Sequence, residues 1–229
     1  MFLRNIYHQL RQNKLNKSLG HIGAHSSITF PVHLSQPQLI YLDDYVRILN
    51  DFRFIGNKGK FIVKKYTGIS TDLTVVTDNH KPTVGIPYFF TGTIHINDVS
   101  KDVIVKEDCW IGTNVTLLPG CVIGRGSIVA ACALANKEYP PYAILAGIPA
   151  KIIGCKFSIE QILQHEKSIY PKEERMSKEE LEILFSKYYK NCPPYGTSYL
   201  SASGEEQYIQ LLKQYNLQPS DFQQSAANK

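Results

Sequence analysis

Along Glu107 to Ala135, "EDCWIGTNVTLLPGCVIGRGSIVAACALA", the aliphatic residues Ile111, Leu117, Ile123 and Val129 return at every sixth position. A period of six fits neither the 3.6-residue helix nor the strict alternation of a half-solvated strand, so it restricts the chain to a repeat architecture. Extended backwards, the same phase reaches Val105, Val99 and Thr93. Seven consecutive hexads therefore run from Thr93 to Leu134, six of them led by an aliphatic residue. The fifth position reads Asn97, Val103, Cys109, Val115, Cys121, Ser127 and Ala133, mostly small, and glycine follows the leader at Gly112 and Gly124. One such unit cannot bury its apolar side alone. A prism of short parallel strands, with roughly three hexads to a coil and each leader stacked on its counterpart in the next coil, satisfies the pattern.

A second block, with Val63, Ile69 and Val75 as leaders, ends at His80. An earlier one, Ile22, Ile28 and Leu34 followed by Ile40, Val46 and Phe52, is weaker and interrupted. Residues 81–92, "KPTVGIPYFFTG", break the pattern between the two regular blocks. Their proline, glycine and aromatic content predicts a loop projecting from a corner of the prism. Beyond Cys155 the hexads stop and helix signals begin. "SIEQILQHEKSIY" opens with a serine cap and a glutamine three positions on, "SKEELEILFSKYY" has the capping box Ser177 and Glu180, and "GEEQYIQLLKQYN" is helix-like. The tail "SDFQQSAANK" reads as frayed. The expected organisation is an N-terminal segment of helical character over 1–19, the prism over 20–154, and an α-helical extension over 155–229.

A chain of 229 residues with 43% hydrophobic content supports one substantial core and a small appendage. The first residues contain no continuous apolar run, so neither a secretory signal nor a transmembrane segment is readable and a cytoplasmic location is expected. Five cysteines form no CxxC pair, and their odd number argues against a disulfide framework. The net charge of +5 is carried by dispersed lysines. That argues against a nucleic-acid partner and suits an anionic small substrate.

The hexads together with "CWIG", "LLPGCVIG" and "YPPYAILAGIPAKII" resemble the hexapeptide-repeat acyltransferases, whose fold is a left-handed parallel β-helix. The resemblance covers roughly residues 20 to 154 and is closest to the xenobiotic, maltose and galactoside O-acetyltransferases and their polysaccharide-modifying relatives. The left hand comes from it alone, because the general rule for parallel crossovers favours the right. It implies a homotrimer, acetyl-coenzyme A as co-substrate, no metal, and an active site between neighbouring prisms.

Transfer of an acetyl group to a hydroxyl requires a base for the hydroxyl proton, and an imidazole titrating near neutrality suits that task. His80 closes the hexad "VVTDNH" directly before the projecting loop, where the family places its catalytic histidine. His21 and His25 in "GHIGAH" read as a polar outer face, and His95, between Ile94 and Ile96, reads as an outward strand residue. His8, His33 and His165 lie outside the regular coils. The γ-class carbonic anhydrases share the prism but need three histidine ligands, and no second and third histidine follow His80 at a matching spacing.

By motif match, the coenzyme's amide-rich arm falls to Thr113 after "WIG" and to the small Ala131 in "VAACA". Its nucleotide end falls to Asn136 and Lys151, with Lys137 assisting. Threonine and arginine are common in the family where Asn136 and Lys151 stand. Trp110 lines the acetyl or pantetheine site or packs at a subunit junction. Asn50 and Asp51 resemble the polar residues that hold the acceptor sugar in relatives, and Tyr88, Phe89 and Phe90 offer aromatic faces to it. The function expected is an acetyl-CoA-dependent O-acetyltransferase on a sugar or polysaccharide precursor. N-acetylation of an amino sugar or nucleotide amino sugar, acetylation of a xenobiotic such as an antibiotic, and a catalytically silent trimeric scaffold are the alternatives.

Overall fold

The computed structural model describes residues 2–223. The hexads wind into a parallel β-helix whose three faces are three ladders of short strands. Along the first face Ile22, Leu42, Val63, Val105 and Ile123 stand in register. Along the second the column is Ile28, Ile48, Ile69, Ile111, Val129 and Leu145, and along the third Leu34, Phe54, Val75, Leu117 and Ala135. Successive strand side chains alternate in direction, so the residue two before each leader also points inward. Val103, Cys109, Val115, Cys121, Ser127 and Ala133 are accordingly buried beside the leaders. Burying one aliphatic leader such as Ile111 is worth about 1.5–3 kcal/mol, and the columns repeat that gain at every coil.

Two features of the expected register are corrected. In the second coil the leaders are Leu42, Ile48 and Phe54, while Ile40, Val46 and Phe52 occupy the inner position two residues earlier. A 3-10 turn over Pro37–Leu39 inserts two residues between Leu34 and Leu42 and shifts the phase. Thr93 and Val99 do not belong to the coils at all. Thr93 lies in a helix, and Val99, 42% exposed, pairs antiparallel with Asn79. The excursion therefore leaves the prism on Asp78–Asn79 and returns on Val99–Ser100, further along the chain than residues 81–92. Antiparallel pairing lets a long insert leave and re-enter the prism at one place, so the sixfold phase across it is coincidental.

Helix α1 (Phe2–Ser18) precedes the first coil, and Arg11 lies 3.9 Å over the ring of Phe30. Helix α2 (Tyr88–Ile94) is the helical part of the excursion. The turns between faces need left-handed backbone, which short aspartate and asparagine side chains tolerate best, as at Asp51, Asp72 and Asn114. Tyr45 and Tyr66 also adopt it, at φ 57° and 65°. Stacking of His25 on Tyr45 at 4.8 Å and Tyr45 on Tyr66 at 5.7 Å offsets that cost.

A second compact unit begins at Gly154, at the end of the strand Lys151–Cys155. Helix α3 (Ile159–Ile169) starts on a capping box of Ser158 and Gln161, α4 (Lys178–Tyr188) on one of Ser177 and Glu180, and α5 (Ala202–Gln214) on Ser201. Ile162, Tyr170, Leu181, Tyr189 and Leu212 form the unit's apolar interior. The buried carboxylate of Glu166 accepts the Met176 N–H at 2.5 Å. Pro219–Gln223 forms a further 3-10 turn, and residues 224–229 of the expected frayed tail lie outside the described residues. Among the described residues no helix is long and apolar enough to cross a membrane.

Candidate active site

His80 follows directly on the strand Asp78–Asn79, whose backbone is fixed by the pairing with Val99–Ser100. Asp78 anchors that strand to the prism by accepting from the Ser100 hydroxyl, the Thr77 hydroxyl and the N–H groups of Asn57 and Lys58. Burial works against its charge, but those hydrogen bonds, Ser100 foremost, hold its carboxyl below the usual range.

The returning strand brings Asp98 to the histidine. His80 Nδ1 lies 2.9 Å from Asp98 Oδ1, and His95 Nδ1 lies 2.8 Å from Asp98 Oδ2. Asp98 is only 11% exposed, and hydrogen bonds from His80 first and His95 second hold its carboxyl below the ordinary value. An ionised carboxylate only accepts, so each Nδ1 carries its hydrogen toward Asp98. In neutral His80 the lone pair is then on Nε2, as a general base requires. Tyr88, in the first turn of α2, donates its hydroxyl to the His80 carbonyl at 2.9 Å and fixes the loop root. Gly92 leaves room over the ring, since a Cβ there would lie 3.9 Å from His80 Nε2.

His80 opens onto a cavity of about 460 Å³ lined also by Asn79, Lys81, Pro82, Val99, Lys101, Leu118, Pro119 and Asn136. The cavity thus unites two of the residues singled out from sequence, His80 and Asn136. The others lie elsewhere on the chain. Asn50, Thr113 and Ala131 fall on one corner ladder: Asp72 N–H donates to the Asn50 carbonyl, Asn114 N–H to the Thr71 carbonyl and Cys132 N–H to the Thr113 carbonyl, at 3.0, 3.0 and 2.9 Å. Thr113 Oγ1 is within 2.8 Å of Thr71 Oγ1, and the Asn50 amide donates to the Asp51 carboxylate. Trp110, 49% exposed, covers Gly68 on the second face. Lys137 reaches over the Tyr139 ring at 5.6 Å, and Lys151 is exposed at the last strand. Phe89, 78% exposed, meets Phe90 edge to face at 5.3 Å.

His95 is corrected from a strand residue to the left-handed C-cap of α2, at φ 54°, and that turn aims its ring at Asp98. Asp98, Lys81 and Lys101 were not singled out from sequence. Lys81 neighbours His80 in sequence, but only the antiparallel return of the chain brings Asp98 and Lys101 beside it, and the local signal for Asp98 was "HIND", with an aspartate three residues after a histidine. His80, His95 and Asp98 offer three ligand atoms within 4.8 Å of one another and so could hold a metal ion. Their hydrogen bonds to one another already satisfy the carboxylate and both Nδ1 atoms.

The family described as "Bacterial transferase hexapeptide (six repeats)" matches residues 102–136. The protein named "Probable macrolide acetyltransferase" of Lysinibacillus sphaericus is 34% identical over 130 residues, 52% of this chain and 71% of that one. The chain belongs to the hexapeptide-repeat acetyltransferase family. WbbJ of Escherichia coli (strain K12), assigned by name to O-acetyl transfer in lipopolysaccharide biosynthesis, is 43% identical over 123 residues, covering 50% of this chain and 60% of its own length. A hexapeptide-repeat-containing acetyltransferase of Vibrio cholerae, crystallised with acetyl-coenzyme A, shares the fold at a TM-score of 0.57 and 24% identity, over 65% of this chain and 77% of that one. As in that hexapeptide-repeat family, the prism here is the left-handed parallel β-helix.

Proposed function

We propose that the protein transfers the acetyl group of acetyl-coenzyme A to a hydroxyl of a saccharide or polysaccharide precursor, as a cytoplasmic homotrimer, with His80 as the general base. The observation that carries this reading is the pairing of His80 Nδ1 with Asp98 at 2.9 Å at the mouth of a cavity of about 460 Å³. Acetyl-coenzyme A supplies the activated thioester. His80 Nε2 takes the acceptor's proton as its oxygen attacks, and the proton later passes to the departing sulfur. Asp98 holds the ring and stabilises the imidazolium while the proton is on it. Thr113 and Ala131 form the ledge for the coenzyme arm, with Trp110, Asn136, Lys137 and Lys151 along its course. Asn50, Asp51, Tyr88 and Phe89 complete the acceptor side at the cleft between neighbouring prisms. The likeness to WbbJ favours a hydroxyl acceptor on a polysaccharide precursor. The likeness to the macrolide-type relative supports an antibiotic hydroxyl as the second reading.

The test follows thiol release from acetyl-coenzyme A across sugars, amino sugars and macrolides, with His80→Ala alongside the parent. Turnover on the accepted hydroxyl is expected to fall about 10²- to 10⁴-fold in the variant, with coenzyme affinity unchanged. A variant that folds, binds coenzyme and acetylates at the parent's rate removes His80 from the mechanism.

A further inference from the structure

Lys81 and Lys101 line the His80 cavity, and no acidic residue does. Both follow from the hairpin that delivers the base. Asn79 pairs with Val99 and Asp78 with Ser100, so Lys81 lies one residue beyond His80 on the loop side and Lys101 stands beside the prism. The Lys101 backbone is pinned by its N–H to the Thr77 carbonyl at 2.9 Å, and its stem lies against Gly120, where an added Cβ would sit 3.0 Å from Cδ. The nearby carboxylates are already engaged. Asp98 accepts from the two imidazoles, Asp78 from Ser100 and the Asn57 and Lys58 amides, and Asp102 from the Lys60 N–H at 2.8 Å. Among the described residues neither Lys81 nor Lys101 has an ion-pair partner.

Two lysines lining the cavity of a base, with no carboxylate in that lining, add positive charge that a neutral sugar would leave uncompensated. They match an acceptor that carries its own negative charge. We propose that Lys81 and Lys101 form an anion subsite for the acceptor, so that the preferred substrate bears a carboxylate or phosphate beside the hydroxyl that His80 deprotonates. The inference rests on the reading of His80 as that base. Charge-assisted contacts to a carboxylate or phosphate are the strong class of hydrogen bond, and two of them both select the acceptor and orient it for attack. The same chemistry is present in the coenzyme's phosphates, and Asn136, assigned to the coenzyme's nucleotide end, lines this cavity too, so the experiment reads acetyl-coenzyme A separately from the acceptor.

The experiment uses the full chain and three probes: glucose, glucuronate and glucose 6-phosphate. Binding is followed by ligand-observed NMR without acetyl-coenzyme A, and transfer by thiol release. In the parent and in His80→Ala, the two anionic sugars are expected to bind at least about ten-fold more tightly than glucose. In Lys81→Ala/Lys101→Ala that preference is expected to vanish, with KM for acetyl-coenzyme A unchanged. Equal binding of the three sugars by the parent overturns the proposal, as does a preference that survives in the double variant. A double variant whose KM rises for acetyl-coenzyme A alone assigns the lysines to the coenzyme and also overturns it. Selective, lysine-dependent binding without acetyl transfer to any probe upholds the subsite and instead counts against the O-acetyltransferase reading.

Discussion

Asp98 Oδ1 stands 2.9 Å from His80 Nδ1 and Asp98 Oδ2 stands 2.8 Å from His95 Nδ1, so one carboxylate holds two imidazoles by their δ nitrogens. An asparagine in its place keeps one accepting oxygen and presents an amide donor on the other side. One ring must then move its hydrogen to Nε2 or turn away. Asp98→Asn is therefore expected to lower turnover by about 10²-fold or more with KM for acetyl-coenzyme A unchanged, within the range that general base catalysis contributes. His95→Gln, which keeps a donor toward Asp98, should retain more activity than His95→Ala. If Asp98→Asn turns over like the parent, the carboxylate does not position the base.

The same carboxylate sets an acid limit on stability. Its folded pKa lies below the ordinary 3.8 because His80 and His95 donate to the charged form. A depressed carboxylate stabilises the fold fully above its unfolded value, and that contribution is lost as pH falls through the folded value. The melting-temperature difference between the parent and Asp98→Asn should thus shrink as pH falls below about 4. A difference that grows as pH falls below about 4 contradicts the assignment.

The β-helix was legible in the sequence because its cause is local and repeated. One aliphatic residue in six fixes the column, and Ile111, Leu117, Ile123 and Val129 announce it without help from distant contacts. The His80 end of the site was legible for the same reason, since it closes a hexad. Asp98 and Lys101 were not, because they reach the cavity only through antiparallel pairing across an insert of irregular sequence. Val99 and Thr93 even mimicked the hexad phase, since a single aliphatic residue at one register position cannot distinguish a coil from a chance match. The order of Asn50, Thr113 and Ala131 on one corner follows from counting coils only once the three extra residues between the leaders Phe54 and Val63 and the excursion between Val75 and Val105 are known.

The corner carrying Thr113 and Ala131 is expected to be the coenzyme's ledge. Ala131→Trp should weaken acetyl-coenzyme A binding by at least about ten-fold in calorimetry while light scattering at micromolar concentration still gives a trimeric mass. Unchanged affinity in an intact trimer removes the ledge from this corner. A monomeric mass for the parent protein would instead remove the neighbouring prism from the site.

Burial pushes the Cys121 thiol up to about 12, and Cys109 and Cys155 are buried with it, whereas Cys132 is exposed at a turn. Reactivity belongs to the thiolate, so iodoacetamide at pH 8 should modify Cys132 in the native protein and reach Cys121 only after denaturation. Mass spectrometry of the labelled peptides checks this. Native modification of Cys121 at the rate of Cys132 would mean that the coil interior opens.

Gly112 tests the coil spacing itself. A Cβ at this position would lie 2.7 Å from Ala131 N, 2.9 Å from the Val129 carbonyl oxygen and 3.0 Å from Ala130 C, all backbone atoms of the next coil. Backbone held in a parallel ladder cannot swing aside, so Gly112→Ala must separate two coils or distort the Val129–Ala131 turn. The expected cost is that of overpacking, about 1–3 kcal/mol, or a fall in Tm of roughly 2–4 °C per kcal/mol for a chain of this size. Gly68→Ala is the control. Its added Cβ meets only the Trp110 ring, at 3.0 and 3.1 Å, and that side chain is half exposed and free to turn, so the loss should be smaller. Because the strained turn carries Ala131, Gly112→Ala should also raise KM for acetyl-coenzyme A, while Gly68→Ala should alter that KM only if Trp110 lines the coenzyme site. Equal melting temperatures for Gly112→Ala and the parent in scanning calorimetry would show that the coils do not approach as closely as the Gly112–Ala131 contact requires.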